Sequence, residues 1–233
     1  MKTTLRIGIA VVALLTLVHQ AAAHFVWVSI ESSDGAVPTA HVYFSEAAHP
    51  DDGELLDGLS RLKVWQLSGA GEATQVKVAK TASEDGDFLA GKLAGDAGCV
   101  VVDCLYGVFG RGDRKMLLQY YAKAIPSDTP SKLARSEKCR LDVVPTVVDG
   151  KLEIAVFWER EPVADSEVVI SAPQGKEHKI QTNADGKVVL DEATPGHYEI
   201  RAKRVEKSDG KFGDDAYNEK RFYCTVTYRI SKE

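Results

Sequence analysis

The sequence predicts an all-β protein, built as two tandem Ig-like β-sandwich domains behind a cleaved signal peptide. Three observations carry this. Apolar residues recur at a period of two in short runs almost throughout. Turns rich in Gly, Asp and Ser divide those runs at intervals of roughly ten residues, as in sandwiches. One stretch with two prolines breaks the rhythm near the middle.

The chain opens with Lys2 and Arg6, then a run without charge over residues 7–18, then Ala21-Ala22-Ala23. A basic start, an apolar stretch and small residues at the cut describe an export signal, 1–23. A spanning helix needs ~20 apolar residues, so the run is short for an anchor. The mature chain is expected to be 24–233, periplasmic or secreted, with no stable membrane span. Loss of Lys2 and Arg6 leaves 27 basic against 34 acidic side chains. That scattered acidic balance argues against nucleic-acid partners.

An N-terminal domain, 24–123, is expected to hold strands at 24–30, 39–45, 62–67, 74–78, 88–93, 99–105 and 116–122. In 39–45 the alternation is explicit: Ala40, Val42 and Phe44 share one face, and His41, Tyr43 and Ser45 the other. Leu55, Leu56, Leu59 and Leu62 recur at helical spacing around Gly58 and mark a short helix. Residues 124–138, "AIPSDTPSKLARSEK", read as a linker. The C-terminal domain, 139–233, is expected to hold strands at 141–144, 151–158, 167–172, 178–182, 187–190, 197–205 and 223–230. "NADGK" reads as a hairpin turn, because Asp-Gly accepts positive φ at little cost.

Cys99, Cys104, Cys139 and Cys224 all follow the leader, and an even count in an oxidising compartment points to disulfides. Three pairings are open; Cys139 and Cys224 share the later half. No Gly-x-Ser-x-Gly and no His-Glu-x-x-His occurs, so nothing supports hydrolysis, and the chain reads as non-enzymatic. "GRGD" at 110–113 is explained as a turn between strands.

Residues 161–202 carry Pro162-Val163, Val168 to Ile170, Thr182 to Gly186, and Pro195-Gly196 before Tyr198 and Ile200. This resembles carboxypeptidase-regulatory-like and surface-adhesin B-type modules, which implies a β-sandwich scaffold or binding unit. "AHFVW", "VYFSE" with "PDD", "YGVFGRG", "LLQYYAKA" and "LDVVP" make nearly the whole mature chain similar to the bacterial exported family labelled nickel uptake substrate-specific transmembrane region. That resemblance implies a link to metal uptake. It also implies an Arg-His-Tyr triplet near the end, which reads Arg221-Phe222-Tyr223 here.

Cleavage before His24 would place an α-amine and an imidazole Nδ1 in one chelate ring. Their ordinary pKa values, ~7.7 and ~6.5, allow both to be neutral donors at mild pH. Such nitrogen donors suit Cu, Ni or Zn. Lytic polysaccharide monooxygenases and the copper carrier CopC use this device with a second histidine. If 24–30 and 39–45 form a hairpin in which Ile30 faces Thr39, His24 faces Ser45. Glu46 then lies beside His24, with His49 and Asp51 in the next loop. His49 with Glu46 is therefore the expected completion. His41, ~13 Å along the strand, is the reserve. His178 and His197 read as surface residues. Asp51, Asp52 and Glu54 could take calcium, though their spacing is not that of an EF-hand. Two functions follow. One is an exported, non-enzymatic binding protein that holds a Ni or Cu ion through His24. The other is a structural or adhesive protein that binds a cell-envelope protein or a glycan. Copper-dependent oxidation at the same site would need two histidines on a flat face.

Overall fold

A computed structural model describes residues 24–32, 35–69, 72–95, 98–126, 129 and 134–231. The expected signal peptide and some of the expected linker lie outside them. The class is all-β, as the alternation predicts. The first half holds β1 (Phe25–Glu31), β2 (Thr39–Ser45), β3 (Leu62–Leu67), β4 (Ala73–Val76), β5 (Ala79–Ser83), β6 (Gly86–Lys92), β7 (Cys99–Arg111) and β8 (Arg114–Ile125). The second half holds β9 (Leu141–Val148), β10 (Lys151–Trp158), β11 (Glu161–Pro162), β12 (Glu167–Ser171), β13 (Glu177–Gln181), β14 (Lys187–Leu190), β15 (Gly196–Phe212) and β16 (Asp215–Ile230).

These strands form three layers. The middle one is an eight-stranded sheet in the order β13-β12-β15-β16-β8-β7-β3-β4. A sheet ordered β1-β2-β6-β5 covers one face, and β9, β10, β11 and β14 cover the other. The two halves meet inside the middle sheet. There β16 runs parallel to β8, from Glu219 opposite Met116 to Tyr228 opposite Ile125. A parallel pair cannot close through a tight turn, so the chain between β8 and β16 acts as one long crossover. The expected boundary at 124–138 therefore does not separate one set of sheets from another. Both sandwiches share their middle layer.

Strand alternation explains how one layer serves two cores. On β7, Val100, Val102 and Cys104 face the β1 side, while Cys99 and Val101 face the β9 side. On β8, Tyr120, Ala122 and Ala124 oppose Tyr121 and Ile125 in the same way. Both strands are buried on both faces, which accounts for apolar runs such as "CVVV". On β16, Cys224 and Val226 enter the β9-side core. Thr225 Oγ1 and Thr227 Oγ1 donate to Val26 O and Val28 O of β1, at 2.5 and 2.7 Å. Strand β1 is an edge of its sheet, and these hydroxyls satisfy carbonyls that lack a strand partner.

Several expectations change. The helical leucines form a 3-10 segment, Gly53–Leu59, that buries Leu56 and Leu59 and leaves Leu55 exposed. The "NADGK" turn does not close a hairpin: β13 pairs with β12, and β14 pairs with β10 in another layer. Asn183 Oδ1 accepts from the backbone N–H groups of Asp185 and Lys187, so the turn is tight while the chain changes sheets. The β7–β8 and β15–β16 hairpins run further than expected, to tips at Gly112 and Gly213. All four cysteines are free, buried thiols. Cys104 lies in the β1-side core and the other three in the β9-side core, so the expected disulfides are not formed. Burial pushes the thiols of Cys99, Cys104 and Cys224 up to about 12.

Candidate functional site at the start of β1

His24 immediately precedes β1. The β1–β2 register pairs Phe25 with Ser45 and Ile30 with Ala40, one residue from the expected alignment. The imidazole therefore stands at the end of the hairpin, beside the loop that follows β2. Its Nε2 lies 3.3 Å from Asp51 Oδ2, and its ring centre 5.8 Å from that of Phe44. The His24 side chain keeps 23% of its exposure and Asp51 38%, so the pair is open to solvent.

The backbone fixes Asp51. Asp87 N donates to Asp51 O at 3.0 Å, joining the loop to β6. Gly86 makes room: its φ is +129°, and a Cβ there would stand 2.7 Å from Asp51 O. Asp51 Oδ1 accepts from Asp52 N at 2.8 Å, leaving Oδ2 toward His24.

A groove of about 430 Å³ opens beside this pair. Phe44, Tyr106, Tyr120 and Tyr223 line it, with ring centres of neighbours 5.4 to 6.0 Å apart. Tyr120 and Tyr223 stack because they are register partners across the parallel β8–β16 junction. Tyr106 sits at an irregularity of β7, between Leu105 and Gly107, and such bulges re-aim a side chain. Its ring packs where a Cβ on Gly58 would come within 2.8 Å, so Gly58 suits the 3-10 segment to this contact. Leu55 and Phe109 complete the rim, and Phe109 is 57% exposed. Arg221 brings charge. Burial alone would lower its pKa, but hydrogen bonds to Glu219 and Tyr223 hold it above the ordinary value. Burial also drives the Tyr120 hydroxyl well above the usual tyrosine range, so that ring stays neutral.

The structure does not bring the four expected metal-site residues together. Glu46 is exposed just beyond β2. His49 is exposed too; its Nδ1 lies 2.8 Å from Pro50 O, and it borders an acidic cleft with Asp52 and Glu84. His41 is opposite Ser29, further along the hairpin. Its ring is 4.4 Å from that of Phe88, and its Nε2 shares a hydrogen bond with Thr39 Oγ1 at 3.1 Å. Among the described residues, no three His, Cys, Asp or Glu residues form a group that could hold a metal ion. Phe222, at the triplet position where histidine was expected, faces away from His24. It packs on Trp158 in the other core, ring centres 4.7 Å apart.

No protein-family model matches the chain, and no curated protein matches it. Three solved structures show distant likeness. The D0-D1 domain of intimin is 15% identical, with 88% of this chain and 97% of that chain covered and a TM-score of 0.22. The BSP domain of a biofilm associated protein is 11% identical, with 88% and 30% covered and a TM-score of 0.22. A pullulanase from Anoxybacillus sp. LM18-11 is 11% identical, with 77% and 24% covered and a TM-score of 0.20. The chain thus spans less than a third of the last two. At TM-scores this low, the all-β class rests on the strands themselves. Among the described residues, no helix is long and apolar enough to cross a membrane.

Proposed function

We propose that this is an exported, non-enzymatic binding protein, structural or adhesive in role, that engages a cell-envelope protein through the aromatic groove beside His24. The observation that carries this reading is the groove itself. It has the size of a binding pocket, its walls are mostly aromatic, and its polar groups stand at the rim. Exposed Phe109 and Leu55 extend the apolar surface outward, as interaction sites do. The exposed apolar side chains of Leu55 and Phe109 at its mouth suit an apolar protein segment.

Co-sedimentation of the mature protein with purified cell-wall material tests it. Wild type is expected to sediment, and the double variant Leu55→Ser/Phe109→Ser is expected to lose most of that binding while keeping its melting temperature. Protease treatment of the wall should abolish binding. Binding that survives protease but not glycan removal would assign a glycan instead. Equal sedimentation of variant and wild type would overturn the groove as the site.

A second reading has its own support. If proteolysis leaves His24 at the N-terminus, its amine and Nδ1 form a nitrogen chelate at the open end of β1, for a copper or nickel ion. The mass of the mature N-terminus decides the first condition, and titration with Cu(II) and Ni(II) the second.

A further inference from the structure

We infer that a second binding site lies on the β9 side: the pocket of Arg135 and Arg160, which takes the carboxylates of an acidic peptide segment. It lies across the middle sheet from the aromatic groove and does not depend on it.

The pocket measures about 290 Å³, and Arg135, Glu137, Cys139, Asp142, Phe157 and Arg160 line it. Asp142 is buried and already matched by Lys123. Around it, residues 135–140 and 159–160 carry Arg135, Lys138, Arg140 and Arg160 against Glu137 and Glu159. The mature chain as a whole has 27 basic against 34 acidic side chains. The local excess is therefore opposite in sign to that of the molecule, and it attracts anions.

Aromatic rings hold these cations in place. The Arg135 guanidinium lies 4.2 Å from the ring centre of Phe157 and that of Arg140 4.5 Å from Trp158, while the Lys138 ammonium lies 5.0 Å from Trp65. A stacked guanidinium keeps its planar fork of donors at its edge, the shape that fits a carboxylate. Arg135 Nη2 donates to Arg160 O, which uses one of five donors.

The turn that presents Arg160 is strained. Trp158 pairs with Glu161, so Glu159 and Arg160 form a two-residue hairpin turn, with φ of +48° and +79°. Asn-Gly is the usual choice there, because positive φ crowds a Cβ. Strain kept at such positions points to work done by the side chains. Glu159 ties the turn to Arg140: Arg140 Nε donates to Glu159 Oε1 at 3.0 Å, and Glu159 N donates to Arg140 O at 2.7 Å. Arg160 is left to the pocket, where its Nη2 meets Glu137 Oε1. Both members of that contact are well exposed, so it is weak and exchangeable. It also shows the chemistry, since the group on Arg160 is a glutamate carboxylate carried by a loop. An acidic segment of another polypeptide would take the place of Glu137, as arginine clusters take acidic motifs.

Fluorescence anisotropy of a labelled hexaglutamate peptide with the mature protein tests the site. Wild type is expected to bind the peptide at low salt and to release it as salt is raised. Arg135→Gln and Arg160→Gln are each expected to bind about tenfold more weakly. Glu137→Gln, which clears Arg160, is expected to bind about two- to fivefold more tightly. Lys92→Gln on β6 and Glu84→Gln, in the turn before it, make the same charge changes in the β1-side layer and should leave the affinity unchanged. All five variants change exposed side chains and are expected to keep the wild-type melting temperature. Absence of peptide binding at millimolar concentration overturns the proposal, and so does wild-type affinity in both arginine variants. Shifts of equal size in the Lys92 and Glu84 variants would reduce the effect to net charge and overturn the site. A galacturonate oligomer of the same length carries the carboxylates on sugars. If it displaces the label at lower concentration than unlabelled hexaglutamate does, the ligand is an acidic glycan and the peptide assignment falls.

Discussion

Two contacts between a basic and an acidic side chain lie on opposite sides of the same middle sheet, and burial gives them different work. Lys123 and Asp142 are sealed, with 0% and 4% of their side chains exposed. Lys123 Nζ also donates to Ala134 O, and Asp142 Oδ2 accepts from Ser136 N at 2.9 Å. The pair thus pins the end of the inter-half connection onto the shared sheet, and every partner is internal. His24 and Asp51 are open, at 23% and 38% exposure, with an aromatic groove alongside. A charge pair with all its bonds satisfied inside the protein is architecture. One that keeps an edge toward water is available to a ligand.

The largest effect is expected of Lys123→Ala. Burial alone would lower the Lys123 pKa, but Asp142 more than offsets it, so the ammonium is retained. Removing one partner of a sealed pair strands the other, which typically costs ~3–5 kcal/mol. Denaturant unfolding should show a loss of that size in Lys123→Ala. In Lys123→Met/Asp142→Leu, where no charge is left behind, most of it should return. If the single variant lost under ~1 kcal/mol, the pair would not be the sealed one described.

A smaller effect belongs to His41, which lies between these extremes of burial. Burial lowers its pKa, with Glu31 working weakly the other way. The sign follows from linkage. The unfolded chain takes up the His41 proton near pH ~6.5, and the folded chain only at lower pH. Its contribution is therefore fully present above pH ~6.5 and is lost as pH falls through the depressed folded value. Melting curves between pH 7.5 and 5 should show a flatter acid limb for His41→Gln than for wild type. An unchanged limb would mean that another group sets it.

How much of this was legible in the sequence depends on what each feature rests on. Strands β2, β3, β10 and β14 begin and end where alternation puts them, because alternation reports a face toward a core. Partner choice is not written in that pattern. A strand buried on both faces, such as β7, carries no sign of which layer lies on which side. The parallel β8–β16 pairing joins residues about a hundred positions apart. The polar stretch 206–222 hid the outer parts of β15 and β16, whose inner parts were expected, because its side chains are at least partly open to solvent over most of that length. For the site, His24 was singled out by the expected leader and the first strand. Which loop residue would reach it was not: Glu46, His49 and Asp51 were all within range. The Asp51–Asp87 bridge decides in favour of Asp51, and its only trace in the sequence is the glycine at position 86. The convergence of Tyr106, Tyr120 and Tyr223 depends on strand pairing and had no local signal.

The smallest expected effect on stability belongs to Asp51. Asp51→Ala removes a histidine–carboxylate contact whose members are both open to water. Such pairs contribute little, because exposure screens them and holding the side chains costs entropy; ~0.5 kcal/mol is an upper expectation. Denaturant midpoints of Asp51→Ala and wild type should therefore nearly coincide, whereas Lys123→Ala shifts far to lower denaturant. The fold does not need Asp51, so a change in binding on its removal would report on the site alone. A large stability loss in Asp51→Ala would instead place this pair with Lys123 and Asp142, within the frame.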